Sequence, residues 1–268
     1  AAAPVIISKQ NIIKSNPKYI FINSGNANAC TGKEGLTNTK RILNLLAKRL
    51  KCNSNEIIIM STGIIGRQLP IDDIEESIIK NTFNNYSSLK EAACAVMTTD
   101  KYPKYLSKSY QIGSKKITFS GLCKGAGMIE PNMATMLAFI ETNVSINKRK
   151  LKKYLNYCAN LSFNAISVDG DMSTNDSVAF TSTSLVNIDL KDKKIEKIFL
   201  KHASDFFVAL SSKIVKDGEG ATKIIKLNIC NAKTKKLAQV ISRKISNSLL
   251  VKTAMYGQDP NWGRIIAS

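Results

Sequence analysis

Hydrophobic positions along this chain come in short bursts separated by polar stretches that carry glycine. Residues 3–9, APVIISK, 19–23, YIFIN, and 56–60, EIIIM, are apolar runs of strand length, and each predicts a strand. The stretches between and after them, NSGNANACTG at 23–32 and STGIIG at 61–66, predict loops. Helical spacing takes over at 36–51, where Ile42, Leu43, Leu45, Leu46 and Leu50 share a face. LPIDDIEESIIKNTF predicts a helix with acids in its first turn, where the macrodipole favours them. SSLKEAACAVM predicts another, with Ser88 and Glu91 spaced for a capping box. YQIGSKKITFSGL predicts a hairpin turning at Gly113-Ser114.

The second half continues in kind. MLAFI at 136–140 suits a central buried strand, and Pro131 and Asn132 predict a turn before it. NKRKLKKYLNYCANL, the segment around 194–215 and KTKKLAQVISRKI predict helices. SVAFTSTSLV, TKIIKLNIC and SLLVKTAMY predict strands. DPNWGRIIAS reads as a helix start with Asp259 as cap and Pro260 in the first turn. Strands and helices alternate without a repeat or a linker, so the expected fold class is α/β, layered, in one interlocked unit.

Composition narrows the function classes. Apolar residues make up 44% of 268, enough for a substantial core, and no apolar run approaches the ~20 residues of a membrane span. No signal segment opens the chain, which starts at Ala1 and not at Met, and the last helix breaks off within about two turns; the chain reads as shortened at both ends. The formal charge of +19 suits an acidic partner, but lysine supplies the excess and is spread over every predicted helix. That is a solvated-surface composition rather than the clustered arginine and exposed aromatics of a nucleic-acid binder. Six cysteines without C-x-x-C spacing argue against zinc and for reduced, mostly buried thiols. The single histidine, His202, falls in a helical segment with no nucleophile beside it and is expected to be structural and partly exposed.

Thr135 sits between the Pro-Asn turn and MLAFI, a stiff β-branched residue presenting its hydroxyl at a core edge. Read from the residues alone, that hydroxyl either bonds a neighbouring backbone group or serves as a nucleophile. Ser61-Thr62-Gly63 is by the same reading either a turn or a place where Gly63 lets backbone approach closely. DGDMSTND spaces its acids like a calcium loop, yet its glycine is at the second position and Phe180 stands where the bidentate Glu belongs. Gly125-Ala126-Gly127 lacks the third glycine of a nucleotide loop.

Seven motifs in order change the balance. NSGNANACTG, STGIIG, MTTD, KGAGMIEPNMATML, DGDMSTND, DGEGATK and GQDPNWGRI together closely resemble the ornithine acetyltransferase family of arginine biosynthesis, also called the glutamate N-acetyltransferase family. The resemblance implies an α/β sandwich of the type shared with self-cleaving aminopeptidases, made as one chain and cut between Ala134 and Thr135. It implies segments 1–134 and 135–268, interwoven and associated as a heterotetramer of two α and two β chains. It implies Thr135 as nucleophile, Thr62 and Gly63 as oxyanion donors, and Thr98, Lys124, Thr135 and Glu219 as substrate contacts. Lys124 would face a carboxylate and Glu219 an amine.

The implied reaction moves acetyl from N2-acetyl-L-ornithine to L-glutamate through an acetyl-enzyme, in the cytoplasm, with no metal or organic cofactor. Some members also take acetyl-CoA, which adds an amino-acid N-acetyltransferase activity. Neither a nucleic acid nor a membrane partner is implied. The rival readings are a related amidohydrolase or aminopeptidase with the same nucleophile, and an idle remnant that binds an acidic partner.

Overall fold

The computed structural model describes residues 1–83, 86–130 and 136–268. In chain order it contains α1 (Ala3–Lys14), β1 (Tyr19–Asn26), α2 (Gly32–Leu50), β2 (Ile57–Ile64), α3 (Ile71–Lys80), α4 (Leu89–Ala95), β3 (Lys104–Ile112) and β4 (Lys115–Lys124). Then follow β5 (Leu137–Val144), α5 (Lys148–Leu161), β6 (Ser177–Val186), α6 (Lys193–Lys216), α7 (Lys235–Asn247), α8 (Leu249–Tyr256) and α9 (Trp262–Ala267).

Two sheets form the middle of the fold. β1 and β2 pair in parallel, and β3-β4-β5-β6 make a four-stranded mixed sheet in which β4 runs antiparallel to β5 and β5 parallel to β6. The period-two alternation of strands decides what each sheet touches. On β2, Ile57 and Ile59 pack with α1, α2 and α3 through Ile7, Ile42, Leu46 and Ile78. Ile58 and Met60 point the other way, onto Leu137 of β5 and Ala179 of β6. On β5, Ala138 and Ile140 turn outward to α5 and α6, where Tyr154, Phe199, Phe206 and Phe207 are fully buried. Helices, sheet, sheet, helices is the layered α/β sandwich expected, and a strand packed on both faces explains why MLAFI and EIIIM read as unbroken apolar runs.

The capping box at α4 forms as expected, with Ser88 Oγ accepting the Glu91 N–H and Glu91 accepting the Ser88 N–H. The β3–β4 hairpin turns at Gly113-Ser114, Gly113 taking φ +58°. His202 is half-buried on α6, its ring stacked on Tyr110 at 4.1 Å, a structural role.

Six readings are corrected. Residues 3–9 are helical, because α1 lies along the open edge of β2 and supplies what an edge strand lacks. Ser8 Oγ donates to the Ile59 carbonyl at 2.7 Å and accepts the Ile59 N–H at 2.9 Å, and Asn11 donates to the Ile57 carbonyl. STGIIG is not all loop, since Ser61 to Ile64 continue β2 in register with Asn23 to Asn26. Residues 222–230 form no strand; they are mostly exposed and have no strand to pair with among the described residues. Residues 249–256 are the helix α8, capped by Ser248 accepting the Val251 N–H. The cap of α9 is Asn261, which accepts the Arg264 N–H, and not Asp259. The thiols are free, as expected, but only Cys123 and Cys158 are buried; Cys30 at a bend, Cys94 on the outer face of α4 and Cys230 in an unpaired segment are exposed.

Candidate active site

The sheets meet the loops at the ends of β2 and β4, and there the residues singled out in the sequence converge. Lys124 is the last residue of β4 and stands opposite Leu137, the first residue of β5. Its Nζ donates to Thr62 Oγ1 at 3.0 Å and to Thr98 Oγ1 at 2.7 Å, while only 2% of the residue is exposed. Burial lowers the Lys124 pKa; Asp100, 3.7 Å away, works against that, and Lys104 reinforces it. Thr62 is fully buried and Thr98 exposed, so the ammonium joins the floor of the site to its rim.

Gly63 has φ +129°, and a Cβ on it would sit 2.2 Å from the Gly25 carbonyl carbon. Only glycine fits this close approach of β1 and β2. Glu219 reaches the same region from the turn after α6: its N–H donates to the Ala126 carbonyl at 2.8 Å, and its carboxylate covers Gly127, where a Cβ would meet Cδ at 2.7 Å. Thr62 with Gly63, Thr98, Lys124 and Glu219 therefore come from four separated places in the chain to one end of the sandwich. Ala134 and Thr135 lie outside the described residues, as do Pro131 and Asn132.

Beneath these side chains is a buried ionic network that sequence reading did not assign. Asp100 accepts the Thr98 N–H at 3.1 Å, the Gly125 N–H at 2.7 Å and Lys104 Nζ at 2.5 Å. Lys104 also donates to Asp217 at 2.5 Å, and Asp217 accepts the Lys101 N–H at 3.0 Å. Burial opposes the charge on both partners, yet the Gly125 N–H and Lys104 hold the Asp100 carboxyl below its ordinary range, and Asp100 with Asp217 holds Lys104 above its own. The network fixes the backbone next to Thr98 and Lys124, and through Asp217 it fixes the turn that carries Glu219. The signal was present, because Asp100 ends MTTD and Asp217 opens DGEGATK.

The Asp-rich loop at 169–176 has a structural task at the same place. Asp169 accepts the Met128 N–H at 2.5 Å and the Ile129 N–H at 2.8 Å. Asn175 Nδ2 donates to the carbonyls of Ala27 and Ser61, and Asp176 accepts the Met136 N–H at 2.9 Å. Burial pushes the Asp176 carboxyl up to about 7, against the bonded Met136 N–H and the Ser173 backbone group, which favours the anion without forming a hydrogen bond to it.

Known proteins align with this picture. The model of the ArgJ family matches residues 1–268. The mitochondrial arginine biosynthesis bifunctional protein ArgJ of Dictyostelium discoideum is 44% identical over 273 residues, a match that covers all of this chain and 62% of the relative. The ArgJ protein of Caldanaerobacter subterraneus is 41% identical across 100% of this chain and 67% of its own length. The chain thus spans a little under two thirds of the Dictyostelium protein it matches. Among solved structures, ArgJ from Bacillus halodurans is 32% identical at a TM-score of 0.44, covering 50% of this chain and 71% of that one. Ornithine acetyltransferase from Mycobacterium tuberculosis, complexed with ornithine, is 31% identical at a TM-score of 0.41, covering 49% and 70%. No helix among the described residues is long and apolar enough to cross a membrane. A family match from the first residue to the last, with relatives above 40% identity over the whole chain, means that this chain belongs to the ArgJ family.

Proposed function

We propose that this chain is a self-processing acetyltransferase of arginine biosynthesis that moves acetyl from N2-acetyl-L-ornithine to L-glutamate. The Thr135 hydroxyl attacks the Ala134 carbonyl, the resulting ester is hydrolysed, and Thr135 becomes a new N-terminus. Its α-amino group has an ordinary pKa near 8, so a useful fraction is neutral at pH 7 and takes the proton of its own hydroxyl. The same threonine then accepts acetyl from the donor, releases ornithine and hands acetyl to glutamate. Thr62 and Gly63 receive the developing oxyanion, a task worth on the order of 3 kcal/mol per donor. Lys124, Thr98 and Glu219 take the substrate's charged ends.

The observation that carries the reading is the Lys124 ammonium. It is buried between Thr62 and Thr98, directly across the ladder from Leu137, two residues after the nucleophile. A desolvated cation beside an apolar strand start suits the recognition of a carboxylate. The family match supports the same substrate class. The reading extends to segments 1–134 and 135–268 held together in a cytoplasmic heterotetramer and to acetyl-CoA as a second donor.

The test is acetyl exchange. With both substrates present, N-acetylglutamate should form, and Thr135→Ala should abolish both chain scission and exchange. Acetyl passing to water as fast without glutamate as into glutamate with it would point to a hydrolase instead. A single unbroken 29.4 kDa chain without exchange would leave a non-catalytic protein.

A further inference from the structure

The base of the mature site does not exist in the uncut chain. Until the bond before Thr135 breaks, that nitrogen is an amide and takes no proton, so another group must accept the hydroxyl proton in the first acyl shift. His202 stands on α6 against Tyr110 and has no part in it. Asp100 already has three hydrogen-bond donors. Glu130 has donors on both oxygens, Asn247 Nδ2 at 2.8 and 2.6 Å and Ser167 Oγ at 3.4 Å. Glu219 is exposed.

Asp217 also has a buried oxygen, Oδ1, without a partner among the described residues, but its other oxygen is ion-paired with Lys104. Asp176 is different. It is 4% exposed; one oxygen accepts the N–H of Met136, the nitrogen of the peptide that joins residue 135, and the other, Oδ2, has no partner among the described residues. A buried acceptor left without a donor costs about 1–3 kcal/mol, so its persistence calls for a use. Its position is rigidly set, because the preceding Asn175 is tied to the carbonyls of Ala27 and Ser61, and Ser61 adjoins Thr62. Asp169, seven residues earlier in the same loop, holds Met128 and Ile129 on the upstream side. One loop therefore grips the backbone before and after the segment that would be cut.

Resting on the self-processing reading above, we infer that Asp176 is the proton acceptor for scission. As Thr135 Oγ bonds to the Ala134 carbonyl carbon, its proton passes to Asp176 Oδ2. The tetrahedral adduct collapses by breaking the Ala134–Thr135 C–N bond, and Asp176 returns the proton to the departing nitrogen, which becomes the Thr135 amine. Water then hydrolyses the ester, leaving the Ala134 carboxylate and restoring the hydroxyl. Scission and acetyl transfer thus use two different bases, Asp176 once and the Thr135 amine in every turnover. The raised proton affinity that burial gives Asp176 suits the first task.

The experiment follows the intact mass of the full chain over time for wild type, Thr135→Ala and Asp176→Asn. Asp176→Asn should melt cooperatively and split roughly 100-fold more slowly than wild type, the lower end of what a positioned general base supplies. Hydroxylamine, which cuts an accumulated ester, should release no fragment from it. Splitting of Asp176→Asn within about threefold of wild type would overturn the inference. So would fragments released by hydroxylamine, because the ester would then form without Asp176. Should Asp176→Asn fail to melt cooperatively, Asp176→Glu decides: it keeps the carboxylate and should split measurably, and a folded Asp176→Glu that stays whole overturns the inference. A wild-type chain that never splits removes the self-processing reading itself, an outcome distinct from all of these.

Discussion

The floor of the site around Asp100 and the loop around Asp176 bury their carboxylates almost equally, at 8% and 4% exposed, and shift their proton affinities in opposite directions. Asp100 is met by two backbone N–H groups and a lysine, with a second lysine at 3.7 Å, and its proton is held off. Asp176 has the Met136 N–H on one oxygen, nothing among the described residues on the other, and its proton affinity is raised to about 7. Burial acts on both in the same direction, so the number of donors decides the outcome. The first arrangement builds a fixed platform; the second keeps a proton acceptor ready beside the chain.

The comparison can be broken at three points. Lys104→Met should have the largest effect, because it strands Asp100 and Asp217 without their shared cation. Breaking a buried pair typically costs about 3–5 kcal/mol, and urea unfolding would read it; a loss below about 1 kcal/mol would mean the network is no platform. Asp176→Asn comes next, through pH. The folded pKa, raised from 3.8 to about 7, lies above the unfolded one, so between these values the native state holds a proton that the unfolded chain has released. The Asp176 contribution to stability is therefore fully present below about pH 4 and lost as pH rises through about 7. Relative to wild type, Asp176→Asn should gain on the order of a few kcal/mol across that window, measured by unfolding at several pH values. An offset independent of pH would show that Asp176 does not differ from Asp100 in kind. Thr98→Val should be mildest: it removes one partner of Lys124 at the rim, about 1 kcal/mol, seen as roughly a fivefold rise in KM with the melt unchanged.

What the sequence revealed follows from how local each signal was. The capping box of α4, the hairpin at Gly113 and the buried runs in β2 and β5 are written within a few residues, and all formed. Residues 3–9 and 248–256 misled because Val and Ile in short runs suit either element. In α1 the choice is made by Ser8 and Asn11 meeting the edge of β2 some fifty residues away. At the site, Thr62, Gly63, Thr98, Lys124 and Glu219 were named through motif resemblance, and the four places they occupy could not have been joined by spacing. Asp100, Lys104 and Asp217 stayed hidden because a buried ion network is a property of three dimensions, with partners 113 positions apart.

The ladder between β4 and β5 has one more consequence. Lys124 to Phe119 pair with Leu137 to Thr142, and β5 is stitched on its other side to β6. A peptide bond opened at 134–135 would therefore leave the two fragments sharing a seam in the middle of a sheet. Nicked protein should elute and melt as one body, coming apart into separate pieces only in denaturant, since letting go would mean tearing out a central strand.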